Sequence, residues 1–295
     1  AVRVERLVGD LGPRFRLVTT GPAGHAGSGP ARARNAGLAA ARGRYVTFCD
    51  DDDEWCDPEH LRIAAAALRA SDADAYFASQ RGLAGRETVI DDWQPGLTAA
   101  APGWPAVGAD GVRDAPIDAL VASPRFAHLN VLTVRRGLAV ELGGFRPGVA
   151  YEEDLDFYWR VLDRARRVLF RPACVAIHHV PDPAAAASVS TRLDLQDRTL
   201  QRLAVRRHVL ATATRPALVA RAIADEAELL RTLTVAIAAT GRVRGAASLA
   251  RMALVQRFTP KWAAYAAWLT VRSWTGGPRP RGSPPGSPRG PSPPY

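Results

Sequence analysis

Through the first 180 residues, short apolar runs alternate with stretches of helical period, and Gly, Pro or Asp bounds most of them. That alternation predicts an α/β layer fold. Residues 15–19 (FRLVT) read as a strand, residues 21–30 as a glycine-rich loop, and residues 31–41 as a helix stopped by Gly43. Residues 45–49 (YVTFC) form a β-rich run that ends abruptly in Asp50, Asp51, Asp52 and Asp53. Asp57-Pro58-Glu59 then opens a helix, with Asp as N-cap, Pro at the first helical position and an acid in the first turn. Residues 73–79 predict the next strand, and residues 81–118, rich in Gly, Pro and Trp, a variable loop region.

Residues 128–135 (HLNVLTVR) predict a strand, residues 136–142 a short helix closed by Gly143-Gly144, and residues 152–162 a further helix. Residues 167–170 and 174–178 read as extended. From residue 191 to 274 the pattern is helical throughout, with breaks expected at Pro216, Gly241, Gly245 and Pro260. Residues 276–295 hold little besides Pro, Gly, Ser and Arg, a composition with almost nothing to bury, and disorder is expected there.

Composition narrows the picture. Hydrophobic residues at 47% and charged residues at 23% are ordinary for a soluble globular chain. A membrane-spanning helix needs roughly 18–20 apolar residues. The longest apolar stretches, residues 232–240 and 262–271, reach about half of that. The opening residues do not read as a secretory leader, and the only Met is Met252, so the chain reads as a fragment of a longer product. Cys49, Cys56 and Cys174 are an odd count with no CxxC pair, which argues against a disulfide framework or zinc site and for a reducing cytoplasm. The net charge of +10 is uneven: −2 over residues 1–184, +9 over 185–274 and +3 over 275–295. A basic back half fits contact with an anionic surface and fits a solvated basic face equally well.

The strand ending in Asp50–Asp53 puts carboxylates where open α/β sheets bind ligands. Adjacent aspartates repel one another unless a cation or solvent offsets them. Mg²⁺ or Mn²⁺ takes oxygen ligands from one or two carboxylates plus substrate phosphates. Asp50 and Asp52 fall on one side of an extended segment. An acidic turn favoured by the dipole of the following helix explains the same residues. A calcium loop of the EF-hand type is excluded by the missing Gly, and Glu54 disfavours a phosphatase with a strand-end Asp nucleophile.

Three blocks in order resemble glycosyltransferase family 2, the inverting enzymes of the GT-A fold. They are ARARNAGLAAARGR at residues 31–44, YVTFCDDDDEW at 45–55 and GGFRPGVAYEEDLDFYWR at 143–160. The resemblance implies a Rossmann-like mixed sheet over residues 1–184; charge and helical pattern add a basic helical appendage over 185–274 and the tail from 275. It implies that Asp154 is the catalytic base and that Arg34, Asp50 and Asp51 bind the nucleotide donor. Asp52 and His179 would hold Mg²⁺ or Mn²⁺, with Asp53, Glu153 and His178 as supporting or alternative residues. Standing alone, the acids of residues 152–156 could equally serve a helix dipole, and Phe157 and Trp159 read as core.

Family members begin with a strand, a helix and a second strand ending in an Asp; residues 1–30 lack that motif, so the domain is expected to be truncated at its N-terminus. The implied partners are a nucleotide-sugar donor and a saccharide or lipid-linked acceptor. Peripheral contact with an anionic membrane at its cytoplasmic face is a further expectation, and no nucleic acid is expected. A nucleotidyltransferase with a similar core, or an inactive fragment serving as an adaptor, are the alternatives.

Overall fold

The computed structural model describes residues 10, 12–20, 29–180 and 193–275. The predicted tail and most of the predicted glycine-rich loop lie outside these residues. The chain divides into two compact units, Ala1–Thr191 and Arg192–Tyr295.

The first unit is a mixed α/β layer. Its strands are β1 (Tyr45–Thr47), β2 (Glu54–Trp55), β3 (Ala75–Ala84), β4 (Glu87–Ile90), β5 (Arg113–Ala115), β6 (Leu132–Arg135) and β7 (Val168–His179). They form one seven-stranded sheet with the path β1-β6-β3-β7-β2, while β4 pairs with β3 and β5 with β7. β3 and β7 run parallel and every other pairing is antiparallel. β3 takes the centre because Ala75, Tyr76, Phe77 and Ala78 form an unbroken apolar run, each at most 1% exposed. A strand covered on both faces requires such a run.

The helices are α1 (Pro30–Ala40), α2 (His60–Ser71), α3 (Pro95–Ala100), α4 (Ile117–Ala122), α5 (Arg136–Glu141) and α6 (Glu153–Arg164). α2 buries Ile63, Ala64, Ala67 and Leu68, a single stripe at helical spacing. α6 buries Leu155, Phe157, Tyr158, Trp159, Val161 and Leu162, so it is a core helix and Phe157 and Trp159 are core residues as expected. Phe145 stacks on Phe157 at 4.4 Å between centroids, and Phe48 meets Phe145 edge-on at 5.3 Å. These rings join the residue after β1, the glycine turn before α6, and α6 itself. Phe145 and Phe157 are fully buried, each burial worth about 1.5–3 kcal/mol, so the cluster fixes the site's frame firmly.

Several sequence expectations change, and the helix expected to open at Asp57-Pro58 begins instead at His60, with Glu59 before it. Residues 15–19 form no strand; Phe15, Leu17 and Val18 are 41–49% exposed, and an extended segment without a paired neighbour has no ladder to hold it. The region of residues 81–118, expected as loop, holds β4, α3, β5 and the start of α4. The two extended segments around residue 172 are one strand, β7. Arg171 opposes Ala78 and Cys174 opposes Ser79, so Pro172 and Ala173 bulge out of the ladder. Pro172 has no N–H to contribute there.

The second unit is helical: α7 (Leu195–Thr212), α8 (Pro216–Ala239), α9 (Val243–Gln256) and α10 (Pro260–Thr275). Pro216 and Pro260 open their helices, and Gly241 adopts φ 79° between α8 and α9. Gly245 does not break the chain; it lies inside α9. Ala246, Ala247 and Ala250 of α9 pack with Ala266 and Leu269 of α10, small residues that allow close helix approach. No helix among the described residues is long and apolar enough to cross a membrane.

Candidate active site

Four segments of the first unit converge on the four aspartates. The chain turns immediately after β1, with the Asp53 amide donating to the Asp50 carbonyl at 3.1 Å. β2 then pairs with the end of β7, Glu54 opposite Ile177 and Trp55 opposite Ala176. That register seats the turn against His178 and His179. Asp53 is held from three directions: it accepts from the Asn130 amide (2.9 Å) and the His179 backbone N–H (3.1 Å), and it pairs with His178 Nδ1 (2.9 Å). Its side chain is only 3% exposed. Trp55 Nε1 donates to the Asn130 carbonyl at 2.7 Å and secures the same corner.

Arg34, on α1, spans the site. One guanidinium nitrogen donates to both Asp50 oxygens at 2.8 Å, and the other donates to Glu153 Oε1 at 2.6 Å. Its planar fork suits this double engagement. Its neighbour Asn35 completes the link to α6. The Asn35 amide donates to the Phe145 carbonyl and accepts from the Phe145 N–H, both at 2.7 Å. Gly144, with φ 65°, passes so close that a Cβ would lie 2.3 Å from Asn35 Oδ1. The Gly143-Gly144-Phe145 turn is therefore a docking site for α1. Behind it, the fully buried Asp156 is held by Arg146 (2.9 Å) and Arg160 (2.8 Å), and Arg160 also donates to the carbonyls of Leu142 and Gly144.

α6 begins at Glu153, preceded by Glu152 in a left-handed conformation with φ 61°. Such a backbone is uncommon outside Gly, and it sets the direction in which Glu153 and Asp154 enter the helix. Asp154 is half-buried and one of its oxygens accepts the Leu155 N–H at 2.7 Å. Burial first, then the charge of Glu153, pushes its carboxyl up to about 7, with the Arg34 cation opposing. Asp50 also contributes to the rise, so the turn and the helix sense one another. A carboxyl poised there can take up or release a proton near neutrality.

Asp50, Asp52 and Asp53 offer carboxylate oxygens that all lie within 4.8 Å of one another. Asp50 is committed to Arg34 and Asp53 to its three partners, whereas Asp52 is exposed and has no side-chain partner among the described residues. Partial desolvation, then the charge of Asp53, raises the Asp52 carboxyl above its ordinary value. A divalent cation would relieve that repulsion. Asp51 is exposed on the turn. Neither histidine joins the oxygen cluster; the His178 ring is engaged with Asp53, and His179 contributes its backbone N–H.

Sequence reasoning missed the surroundings of His178. Its ring lies 4.4 Å from that of His128 and 5.4 Å from Trp93, and Phe126 stacks on His128 at 4.8 Å. His128 is lowered far below the usual imidazole range, by burial and then by His178. Asn130 was missed too. Both residues fell inside a run read only as a strand, and only the fold brings them to Asp53.

Residues 23–91 match the family model described as glycosyl transferase family 2. Over that segment, 69 of the 295 residues, the chain is similar to glycosyl transferase family 2. The matched segment contains Arg34 and the aspartate turn and ends before Glu153 and Asp154. No curated protein matches the chain. Among solved structures, residues 1–349 of S. aureus TarS in complex with UDP-GlcNAc are similar at 13% identity and TM-score 0.56, covering 93% of this chain and 80% of that one. The mannosyltransferase PcManGT from Pyrobaculum calidifontis, in complex with GDP-Man and Mn²⁺, is similar at 17% identity and TM-score 0.52, covering 93% and 73%. At these identities the likeness is one of fold.

Proposed function

We propose that this chain acts as a family 2 glycosyltransferase and transfers a sugar, with inversion, from a nucleoside-diphosphate donor to a hydroxyl acceptor on a glycan, polysaccharide or lipid-linked saccharide. The observation that carries the reading is the Arg34 bridge, which ties the aspartate turn to the Glu153-Asp154 helix start with two ion pairs. A sugar hydroxyl is a poor nucleophile, so a base must take its proton as it attacks. Asp154 fills that role. Its carboxylate accepts the acceptor's proton while the acceptor oxygen bonds to C1 of the donor and the C1–oxygen bond to the diphosphate breaks. The nucleoside diphosphate leaves from the opposite face, and no covalent enzyme intermediate is needed.

Asp52 is the favoured ligand for Mg²⁺ or Mn²⁺, with His179 within the same corner as a further donor and His178 as its alternative. When bound, such a cation supplies positive charge against the leaving diphosphate. Arg34, Asp50 and Asp51 face the nucleotide side of the donor. Asp53 and Glu153 hold the turn and the arginine in place. The complexes of TarS with UDP-GlcNAc and of PcManGT with GDP-Man and Mn²⁺ support this donor class and this kind of cation. In this reading residues 1–184 are the catalytic part, residues 185–274 a basic helical part that meets an anionic membrane at its cytoplasmic face, and residues 275–295 a tail.

The test is release of nucleoside diphosphate and transfer of sugar from a panel of UDP- and GDP-sugars with Mn²⁺. Asp154→Asn and Asp52→Ala are each expected to lower turnover by about 10²-fold or more. Full turnover in both variants would refute the assignment, and release of pyrophosphate would instead mark a nucleotidyltransferase.

A further inference from the structure

The last acidic residue of the chain is Glu228; the 67 residues after it contain none. Within that stretch α9 and α10 form a helical hairpin around Ala246, Ala247, Ala250, Ala266 and Leu269. Each helix keeps one face outside this core. On α9, Arg244, Ser248, Arg251 and Val255 follow at spacings of four, three and four, with Met252 beside them, and all are exposed. On α10, Lys261, Ala264, Trp268, Val271 and Thr275 follow the same rhythm, with Arg272 adjacent, and all are exposed. Trp274 is 78% exposed, Val255 87% and Phe258, in the turn between the helices, 68%.

The two faces adjoin. Arg244, Ala247 and Arg251 of α9 line one open recess of about 390 Å³ with Ser273 and Trp274 of α10. Arg251 reaches across to Thr270 at 3.4 Å, and Arg272 stacks over Trp268 at 5.0 Å. Among the described residues no carboxylate pairs with Arg244, Arg251, Arg257, Lys261 or Arg272, although Arg206, Arg207, Arg221 and Arg231 on α7 and α8 all have acidic partners. These five cations of the hairpin are thus interleaved with large apolar side chains and have no carboxylate among the described residues to neutralise them.

We infer that the exposed face of the α9–α10 hairpin is the surface that docks on an anionic lipid bilayer, its arginines on lipid phosphates and Trp268, Val271, Trp274 and Phe258 in the headgroup–acyl boundary. This rests on the peripheral-membrane reading of residues 185–274 and locates it. The charge pattern alone would suit any polyanion. The apolar half decides the occupant: Val255, Val271 and Met252 offer a nucleic-acid backbone nothing, whereas Trp and aliphatic side chains beside unpaired cations are what an interfacial helix presents to lipid. A basic residue near an anionic surface contributes a factor of about five in partition.

The experiment is sedimentation of the full chain with vesicles of phosphatidylglycerol and phosphatidylcholine, and with phosphatidylcholine alone, at low and high salt. Binding is expected only to the anionic vesicles and should weaken with salt. The double variant Arg244→Gln/Arg251→Gln should bind about thirty-fold more weakly, and Arg244→Lys/Arg251→Lys should recover most of that. Trp274→Ala should weaken binding at both salt concentrations. All these positions are exposed, so the helical circular dichroism should not change. If the Gln variant binds anionic vesicles as the natural chain does, the hairpin is not the docking face while the broader membrane reading survives. If the natural chain binds no anionic vesicle, both fall. Tight binding to duplex DNA that competes with vesicles and is equally sensitive to Arg244 and Arg251 would overturn lipid as the occupant.

Discussion

Replacing Asp154 by Asn separates catalysis from stability and gives them opposite signs. The substitution keeps the side chain's shape and an oxygen for the Leu155 N–H. What it removes is a negative charge in a place that disfavours one. The Asp154 carboxyl rises from 3.8 to about 7, with burial as the main cause and Glu153 next. Because the folded pKa exceeds the unfolded one, the folded state holds more protons than the unfolded state between those values. Stability is therefore highest below the unfolded pKa and falls as pH rises through the folded one. At 1.36 kcal/mol per pH unit the full span costs about 4 kcal/mol. Water reaching the half-buried carboxyl lowers the expected cost to about 2 kcal/mol.

The assay is urea unfolding from pH 5 to 8.5 with a chelator present and no donor. Asp154→Asn should gain stability over the natural chain as pH rises, and the difference should level off above pH 7. With Mn²⁺ and donor supplied instead, the variant's turnover should be nearly abolished, and the natural chain's turnover should climb on an acid limb near neutrality as Asp154 ionises. Two stability profiles that run parallel across the whole range would refute the claim that burial and Glu153 hold this carboxyl up. Retained turnover would refute its role as base.

Substitutions at three further positions probe the packing. Arg34→Ala leaves Glu153, 8% exposed, without its cation and should cost about 3 kcal/mol in urea unfolding; Arg34→Lys should recover only part, because an ammonium cannot reproduce the fork to Asp50 and Glu153. Gly144→Ala combines φ 65° with a 2.3 Å clash against Asn35 and should cost about 3 kcal/mol or more, lowering the melting temperature and expelling α1 from the site; an unchanged melting temperature would refute the docking role of the glycine turn. Gly245→Ala should do the reverse and stabilise by about 0.5–1 kcal/mol, since a Cβ there meets only Ile237 at an ordinary 3.7 Å and the helix gains a better former.

What the sequence could disclose follows from how local each signal is. α1, β1 and α6 were legible because apolar periodicity and a terminal Gly, Pro or acid mark such elements within a dozen residues. The aspartate turn was legible as chemistry because four adjacent like charges are costly in any fold. The segment of residues 15–19 looked like a strand by composition, yet β structure depends on a partner, which composition does not reveal. Residues 81–118 failed the other way: β4 is a four-residue hairpin arm and α3 and α4 have six residues each, too short for a period to show. Gly245 misled because Gly breaks helices on average, while here it lies within α9 where α9 packs on α8.

The deeper gain from structure concerns the relation among the three sequence blocks. Along the chain they are separate motifs, and each alone admits a bland explanation. In the fold two adjacent side chains of α1 join them: Arg34 clamps the turn to Glu153, and Asn35 clamps the glycine turn that carries the chain toward α6. This arrangement makes Gly144 and Asn35 positioning residues for a carboxylate neither of them touches. It also accounts for why Asp50 and Asp53 are tied up while Asp52 is left open: the turn is held by its first and last acids, and the two between them, Asp51 and Asp52, are presented to solvent. A solvated acidic cap would have no need of an arginine from one helix, a histidine from a distant strand and an asparagine from a third segment to fix its shape.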